Sequence, residues 1–145
     1  MAQILTADEV RAYLSDYAES NLLLDKEDFK DPFIKLCMDL GADEFNQIPP
    51  RSGYSAGSFP SKSLLLQGTL WHMFQGRAAL AVRNTLSYTD GGLTIPIEEK
   101  YELYSAMAAT YKANFMEAAT KLKINMNMES GWGEIRSDEA NFPIW

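Results

Sequence analysis

Apolar residues recur at spacings of three and four along most of the chain, and this pattern predicts an all-α bundle of about four helices. The first helix should begin after Thr6, whose hydroxyl can cap it while Glu9 returns to the cap amide. It is expected to continue from Ala7 to about Glu19. Its apolar positions, which should form one buried stripe, are Val10, Tyr13, Leu14 and Tyr17.

Proline residues mark both ends of the second predicted helix. Asp31 is the expected cap and Pro32 the first helical residue, where the missing amide hydrogen costs nothing. The helix should run to about Ile48, because Pro49 and Pro50 follow it and cannot continue it.

The third predicted helix, roughly Lys62 to Leu86, is apolar around nearly its whole circumference, which indicates the central helix of the bundle. Gly68 and Gly76 would let a neighbouring backbone approach closely. If Arg77 or Arg83 is buried, it needs a carboxylate partner from another helix or another subunit. The rival interpretation, a membrane span, is disfavoured by four polar residues in the middle of the helix: Gln67, His72, Gln75 and Arg77.

A turn and the longest periodic pattern follow. The segment Tyr88 to Gly92 ends in two glycines and predicts a turn, and Leu93 to Ile95 can form a short extended piece. The fourth helix should run from about Ile97 to Asn125. Its apolar stripe comprises Ile97, Tyr101, Tyr104, Ala108, Tyr111, Phe115, Ala118 and Leu122. Such a stripe indicates either the core of the bundle or a seam between subunits.

Two segments lack a helical pattern. The loop Pro49 to Ser61 is rich in Pro, Gly and Ser and carries Tyr54 and Phe59 as exposed aromatic candidates for partner contact; disorder is the alternative. The chain thus divides into a helical domain, residues 1–128, and an extended C-terminal docking tail, Glu129 to Trp145. Anchor candidates in the tail are Trp132, Ile135, Phe142, Ile144 and Trp145. Alternatively, the tail folds back over its own bundle or is frayed.

Composition fits one globular domain without disulfides. The chain has 145 residues, of which 46% are hydrophobic and 23% charged, and Cys37 is its only cysteine, most simply a lone buried thiol in a reducing compartment. The sequence shows neither a secretory signal nor an apolar stretch of membrane-spanning length, so we expect a soluble protein without membrane contact.

The net charge of −7 arises entirely in the first third of the chain. Residues 1–48 carry eleven acidic and four basic residues, whereas the remainder carries nine of each. A surface of this sign repels a nucleic-acid backbone, so sequence-reading functions are disfavoured. A solvated helical surface is the simpler explanation of the same acidity.

No catalytic, cofactor-binding or metal-binding pattern emerges. His72, the sole histidine, lies within the most apolar helix and should be a hydrogen-bonded core residue rather than a base. The acidic segment Asp25 to Asp31 lacks the glycine and glutamate of a calcium loop, and Gly131-Trp132-Gly133 has no third glycine. We therefore predict that the protein is not an enzyme and needs no cofactor; a deep pocket with carboxylates of shifted pKa would revive that alternative.

Several of these segments together resemble a family of virion proteins. They are the run Leu64 to Leu70, Ala78 to Asn84, the turn Tyr88 to Gly92, the long Tyr-rich helix, and the Gly-Trp-Gly start of the tail. Over roughly residues 60–136 the pattern resembles the head-to-tail connector, or neck adaptor, proteins of tailed bacteriophages. The resemblance implies a helical bundle that forms a homo-oligomeric ring, expected to be a dodecamer, beneath the capsid portal. The ring would join capsid to tail and pass DNA through its bore.

The resemblance also gives expected roles to residues. The tail would clamp the portal protein through Trp132, Ile135, Arg136, Phe142, Ile144 and Trp145. The loop residues Tyr54 and Phe59 would contact neighbouring subunits or neck proteins. Asp8, Asp16, Asp39 and Asp43 would line the bore, where DNA must slide without sticking. The expected location is the virion, assembled in the host cytoplasm. Alternatives are a tail-completion or other virion ring protein, and a monomeric helical binding protein with a self-docked tail.

Overall fold

The protein folds into four helices without a strand in the ranges that a computed structural model describes, residues 4–21, 25–88 and 97–132. They are α1 (Ala7–Leu14), α2 (Asp31–Gln47), α3 (Lys62–Tyr88) and α4 (Ile97–Trp132). The predicted class, an all-α bundle of about four helices, is confirmed.

Helix α1 begins as predicted but ends early. The Thr6 hydroxyl accepts a hydrogen bond from the Glu9 amide at 3.2 Å, and the Thr6 amide donates to the Glu9 carboxylate at 2.9 Å. The predicted end near Glu19 is wrong, because Ser15 adopts a left-handed conformation with φ of 53° and its amide returns to carbonyls of the last turn. The chain therefore leaves the helix after Leu14.

The predicted buried stripe of α1 is wrong at two of its four positions. Tyr13 is 58% exposed and Tyr17 is 44% exposed, whereas Val10 is fully buried and Leu14 is half-buried. The neighbour of Val10, Arg11, is 4% exposed and lies in the interior instead. A stripe inferred from apolar side chains alone missed this charged residue.

Helix α2 matches its prediction to within one residue at each end. Lys30 occupies the cap position and Asp31 the first helical position, so proline is the second residue rather than the first. The helix ends at Gln47, just before the two prolines.

Helix α3 is central, as predicted, and packs against both α2 and α4. A Cβ atom on Gly68 would lie 3.2 Å from the Gly41 Cα atom of α2 and 2.9 Å from the Phe115 ring of α4. A Cβ atom on Gly76 would lie 2.7 Å from the Phe33 ring. Both glycines therefore admit close neighbours, and three helices meet at Gly68.

Arg77 of α3 has a carboxylate partner, although this partner lies in a connection rather than on another helix or another subunit as predicted. Arg77, which is half-buried, forms an ion pair of 2.8 Å with Asp28, in the segment before α2. Its guanidinium also lies 4.4 Å from the centroid of the Phe29 ring. Arg83 is exposed and does not need such a partner.

The core between α3 and α4 is aromatic. Trp71 packs on Phe115 with ring centroids 5.9 Å apart, and Phe74 stacks on Tyr111 at 5.7 Å. These contacts, in reversed sequence order on the two helices, make α3 and α4 antiparallel.

The stripe of α4 needs two corrections. Ala118 is exposed, and Ala119 is fully buried in its place, so the stripe continues through Leu122 to Met126. Tyr101 is 41% exposed rather than buried.

Helix α4 is longer than predicted, ending at Trp132 instead of near Asn125. The segment Glu129–Trp132 is therefore helical, and an extended tail cannot begin at Glu129. The predicted turn and short extended piece, residues 89–95, lie outside the described residues. The same holds for the tail from residue 133 onwards, including Ile135, Arg136, Phe142, Ile144 and Trp145.

Candidate interaction surfaces

A groove of about 530 Å³ opens between α3 and α4, which we call the α3–α4 groove. Its lining residues are Trp71, Gln75, Ala78, Ala79, Val82, Tyr101, Ser105, Ala108, Ala109 and Lys112. Small side chains face each other across the two helices here, so the space between the backbones stays unfilled. The volume lies within the range of ordinary ligand clefts, and the lining is mostly apolar.

One cation marks the groove. Lys112 is its single charged lining residue, is exposed, and places its ammonium 5.3 Å from the centroid of the Trp71 ring. Val82 and Tyr101 remain 40% and 41% exposed. An apolar floor with one positive charge suits an apolar segment that carries acidic residues. The alanines of α3 and α4 are visible in the sequence, but that they face each other follows from the packing of the two helices.

A second apolar surface lies on the outer face of α2, which we call the α2 stripe: Leu36, Asp39, Leu40 and Asp43. Leu36 is 54% exposed and Leu40 39% exposed, one helical turn apart. Both aspartates are exposed beside them. The buried residues of α2 lie on its other face, so the α2 stripe is not part of the core.

Three of the four predicted bore residues are exposed. Asp8, Asp39 and Asp43 are open to solvent, as lining a bore would require. Asp16 is 4% exposed, so the prediction is wrong for this residue, whose carboxylate faces the protein interior.

Asp16 instead organises the connection between α1 and α2. Its carboxylate accepts hydrogen bonds from the Asp28 amide at 2.7 Å, the Phe29 amide at 2.9 Å and the Asn21 side chain at 2.7 Å. Burial raises the pKa of Asp16, but these donors and the nearby Arg11 together lower it by more than burial raises it. The pKa is therefore below its ordinary value.

Arg11 completes this arrangement, which we call the Arg11 cluster. Its guanidinium lies 3.3 Å from Asp16 and 3.2 Å from Glu27, and it also pairs with Asp31 at the start of α2. The buried cation is therefore surrounded by three carboxylates.

The loop between α2 and α3 is folded back rather than open. The expected exposure of Phe59 is wrong: its side chain is 2% exposed and lies 5.0 Å from the Phe45 ring, between centroids. Tyr54 is half-buried and lies 5.9 Å from the same ring. The Asn46 side chain holds this shape, since it donates to the Tyr54 carbonyl at 2.7 Å and accepts from the Tyr54 amide at 2.9 Å.

Helix α4 reaches this loop through Lys123, which is 2% exposed. Its ammonium donates to the Pro50 carbonyl at 2.8 Å and to the Ser52 hydroxyl at 2.6 Å, and lies 4.4 Å from the centroid of the Phe45 ring. No carboxylate pairs with it within residues 4–21, 25–88 and 97–132. Burial lowers the pKa of Lys123. Sequence reasoning missed this contact, and no local signal separates Lys123 from the exposed Lys121.

Neither Cys37 nor His72 forms a reactive site. The Cys37 thiol is 1% exposed, and burial raises its pKa to about 12, which confirms a lone buried thiol. His72 is half-buried and stacks on Trp71 at 4.4 Å between centroids. Its Nε2 atom lacks the predicted hydrogen bond among the residues described, and burial lowers the pKa of the ring.

Within the part of the chain that the structure describes, no cluster of three or more His, Cys, Asp or Glu residues is placed to hold a metal ion. In the same ranges, no helix is long and apolar enough to cross a membrane.

Comparison with known proteins gives no relative. No protein-family model, no curated protein and no solved structure matches the chain. The connector resemblance therefore stays a prediction, and a functional proposal depends on it and on the surfaces described above.

Proposed function

We propose that the protein is a structural virion protein, a head-to-tail connector that forms a ring beneath the portal and passes DNA through its bore. The observation that carries the proposal is the length of α4. At 36 residues this helix spans about 54 Å. Among residues 100–131 of α4, the last buried or half-buried side chain is Met126, and residues 127–131 are exposed.

A projecting helix suits a protein that reaches a partner. Trp132 lies six positions beyond Met126, which places the start of the tail about 9 Å further along α4. The anchors proposed for the portal, such as Phe142 and Trp145, lie in the stretch of sequence that follows Trp132. Aromatic anchors of this kind supply much of the binding energy of protein interfaces.

The exposed acidic residues support the passage of DNA. Asp8, Asp39 and Asp43 can face a bore, whereas Asp16 is removed from that set by its burial. Negative charge along a bore keeps a DNA backbone from binding to the wall.

The test is affinity capture from cells that produce the phage, with the full chain compared with a chain ending at Trp132. This end point keeps α4 whole, and equal thermal unfolding of the two proteins shows that the bundle is unchanged. We expect the portal protein with the full chain and its loss after truncation. Equal recovery by both chains would remove the clamp, and recovery of no virion protein by either would remove the function.

A monomeric binding protein with a self-docked tail is the second candidate, favoured by the open α3–α4 groove. Its nearest charged lining residue, Lys112, lies 20 positions before Trp132, or about 30 Å back along α4. Residues 133–145 span at most about 45 Å when fully extended. The tail would therefore use most of its length to return, which leaves little for filling the groove. Rapid proteolysis of residues 133–145 in the isolated protein would exclude this candidate.

A tail-completion or other virion ring protein would use the same construction with a different partner. Recovery of tail proteins without the portal protein in the capture experiment would select it.

A further inference from the structure

The α2 stripe and the α3–α4 groove complement one another. The α2 stripe is the convex outer face of a helix, with Leu36 and Leu40 at its centre and two aspartates beside them. The α3–α4 groove is concave and apolar, and its one charged lining residue is Lys112. We propose that the α2 stripe of one subunit docks into the α3–α4 groove of a second copy of this chain.

The spacing of the two leucines fits recognition of a helix by a groove. Leu36 and Leu40 are four positions apart, so they lie on one side of α2 with about 6 Å between their Cβ atoms. Helices that bind grooves use anchors at this spacing. Val82, Tyr101 and Trp71 present the apolar surface against which the leucines would pack.

Charge favours a second copy as the occupant. The exposed charged residues of α2 are Asp31, Lys35, Asp39 and Asp43, three acids and one base. Docking would bring Asp39 and Asp43 to the side of the groove where Lys112 lies. This attraction speeds encounter and selects the orientation, while the buried apolar area supplies most of the affinity.

The contact is head-to-tail, because the two surfaces belong to different elements of the subunit. A contact of this kind leaves one α2 stripe and one groove free in each dimer, so that further copies add until a ring closes. The inference rests on the proposed connector function and names the faces through which its subunits meet. It assigns Asp39 and Asp43 to this contact, which leaves Asp8 as the exposed acid that can face the bore.

Charge reversal tests the contact. Lys112→Glu makes the groove negative, and Asp39→Lys with Asp43→Lys makes the α2 stripe positive. Each variant alone then faces its own copies with like charges, and we expect its dissociation constant to rise at least about tenfold. An equimolar mixture restores opposite charges at both contacts, so it should associate in alternation. Sedimentation from micromolar to millimolar concentration measures the dissociation constant of the full-length wild type, of each variant and of the equimolar mixture.

Lys26→Glu is the matched control, since Lys26 is exposed in the segment before α2 and belongs to neither surface. It changes the net charge as Lys112→Glu does and should leave association unchanged. Circular dichroism shows that all variants remain folded.

Two results would overturn the proposal. One is a wild-type protein that stays monomeric at millimolar concentration. The other is association that the Lys112→Glu and Asp39→Lys, Asp43→Lys variants retain, or that their mixture does not restore. Both leave the connector function standing if the same wild-type protein captures the portal. If instead the protein self-associates as expected but does not capture the portal, the proposed function is wrong and the contact between the α2 stripe and the α3–α4 groove is retained.

Discussion

Two irregular connections of this protein are each built around one buried cation, and they compensate it differently. In the connection between α1 and α2, Arg11 is surrounded by Asp16, Glu27 and Asp31. In the loop between α2 and α3, Lys123 meets only a carbonyl, a hydroxyl and an aromatic ring. The first is an ionic cluster whose members depend on one another. The second is a single ammonium group whose hydrogen bonds are accepted by neutral groups. Removing the lysine therefore leaves no buried charge without a partner.

Removal of Arg11 should have the largest effect. Arg11→Met leaves the buried Asp16 carboxylate without its cation, and we expect a loss of about 3–5 kcal/mol in the free energy of unfolding. Urea denaturation measures it. Arg51→Met, at an exposed residue, is the control and should change little. A loss no larger than that of the control would show that the amide donors alone hold Asp16.

Acid should weaken the Arg11 cluster selectively. The pKa of Asp16 is lowered in the folded protein from its ordinary value of 3.8. The stabilisation is therefore complete above the unfolded pKa and is lost as pH falls through the lower folded value. Wild type should lose stability below about pH 4 more steeply than Asp16→Asn, which carries no such titration. Parallel pH profiles for the two proteins would contradict the assignment.

Removal of Lys123 should have a smaller effect. In Lys123→Met, the Pro50 carbonyl and Ser52 hydroxyl lose a donor, but the cost of desolvating the ammonium also disappears. We expect a loss of about 1–2 kcal/mol. Lys121→Met is the matched control, two positions away and exposed, and should cost at most a small fraction of that loss, because it removes only a surface ion pair with Glu117. A loss as large as that of Arg11→Met would end the distinction between the two cations.

Alkali provides a further check on Lys123. The pKa of this lysine is lowered from 10.5, so the folded protein releases the proton before the unfolded chain does. The contribution of Lys123 should therefore rise with pH in the window just below 10.5. The difference between wild type and Lys123→Met isolates this contribution from those of all other groups. A flat difference would mean that the ammonium is not desolvated.

The parts of this fold that the sequence could predict are those with local signals. The Thr6 cap and the prolines after Gln47 act within a few residues. Gly68 and Gly76 carry their signal in their own lack of a side chain, although the neighbours they admit are distant in sequence. The end of α1 at Leu14 was not foreseen, because it follows from the hydrogen bonds that Asp16 makes with amides 12 and 13 positions away.

The burial of Lys123 depends on still more distant residues. Its partners lie more than 70 positions earlier in the chain. Nothing around Lys121 and Lys123 tells which of the two is buried. The α3–α4 groove has the same origin, since an alanine on one helix opens a space only where the facing helix also carries small residues.

The length of α4 has a mechanical consequence. Because α3 and α4 are antiparallel and packed side by side, a pull on Trp132 along the helix axis loads their contacts in shear. The tension is then shared along the interface from Phe115 through Tyr111 to Tyr104, rather than breaking one contact at a time as peeling would. A tether joined to the end of this helix would therefore load the whole α3–α4 interface at once.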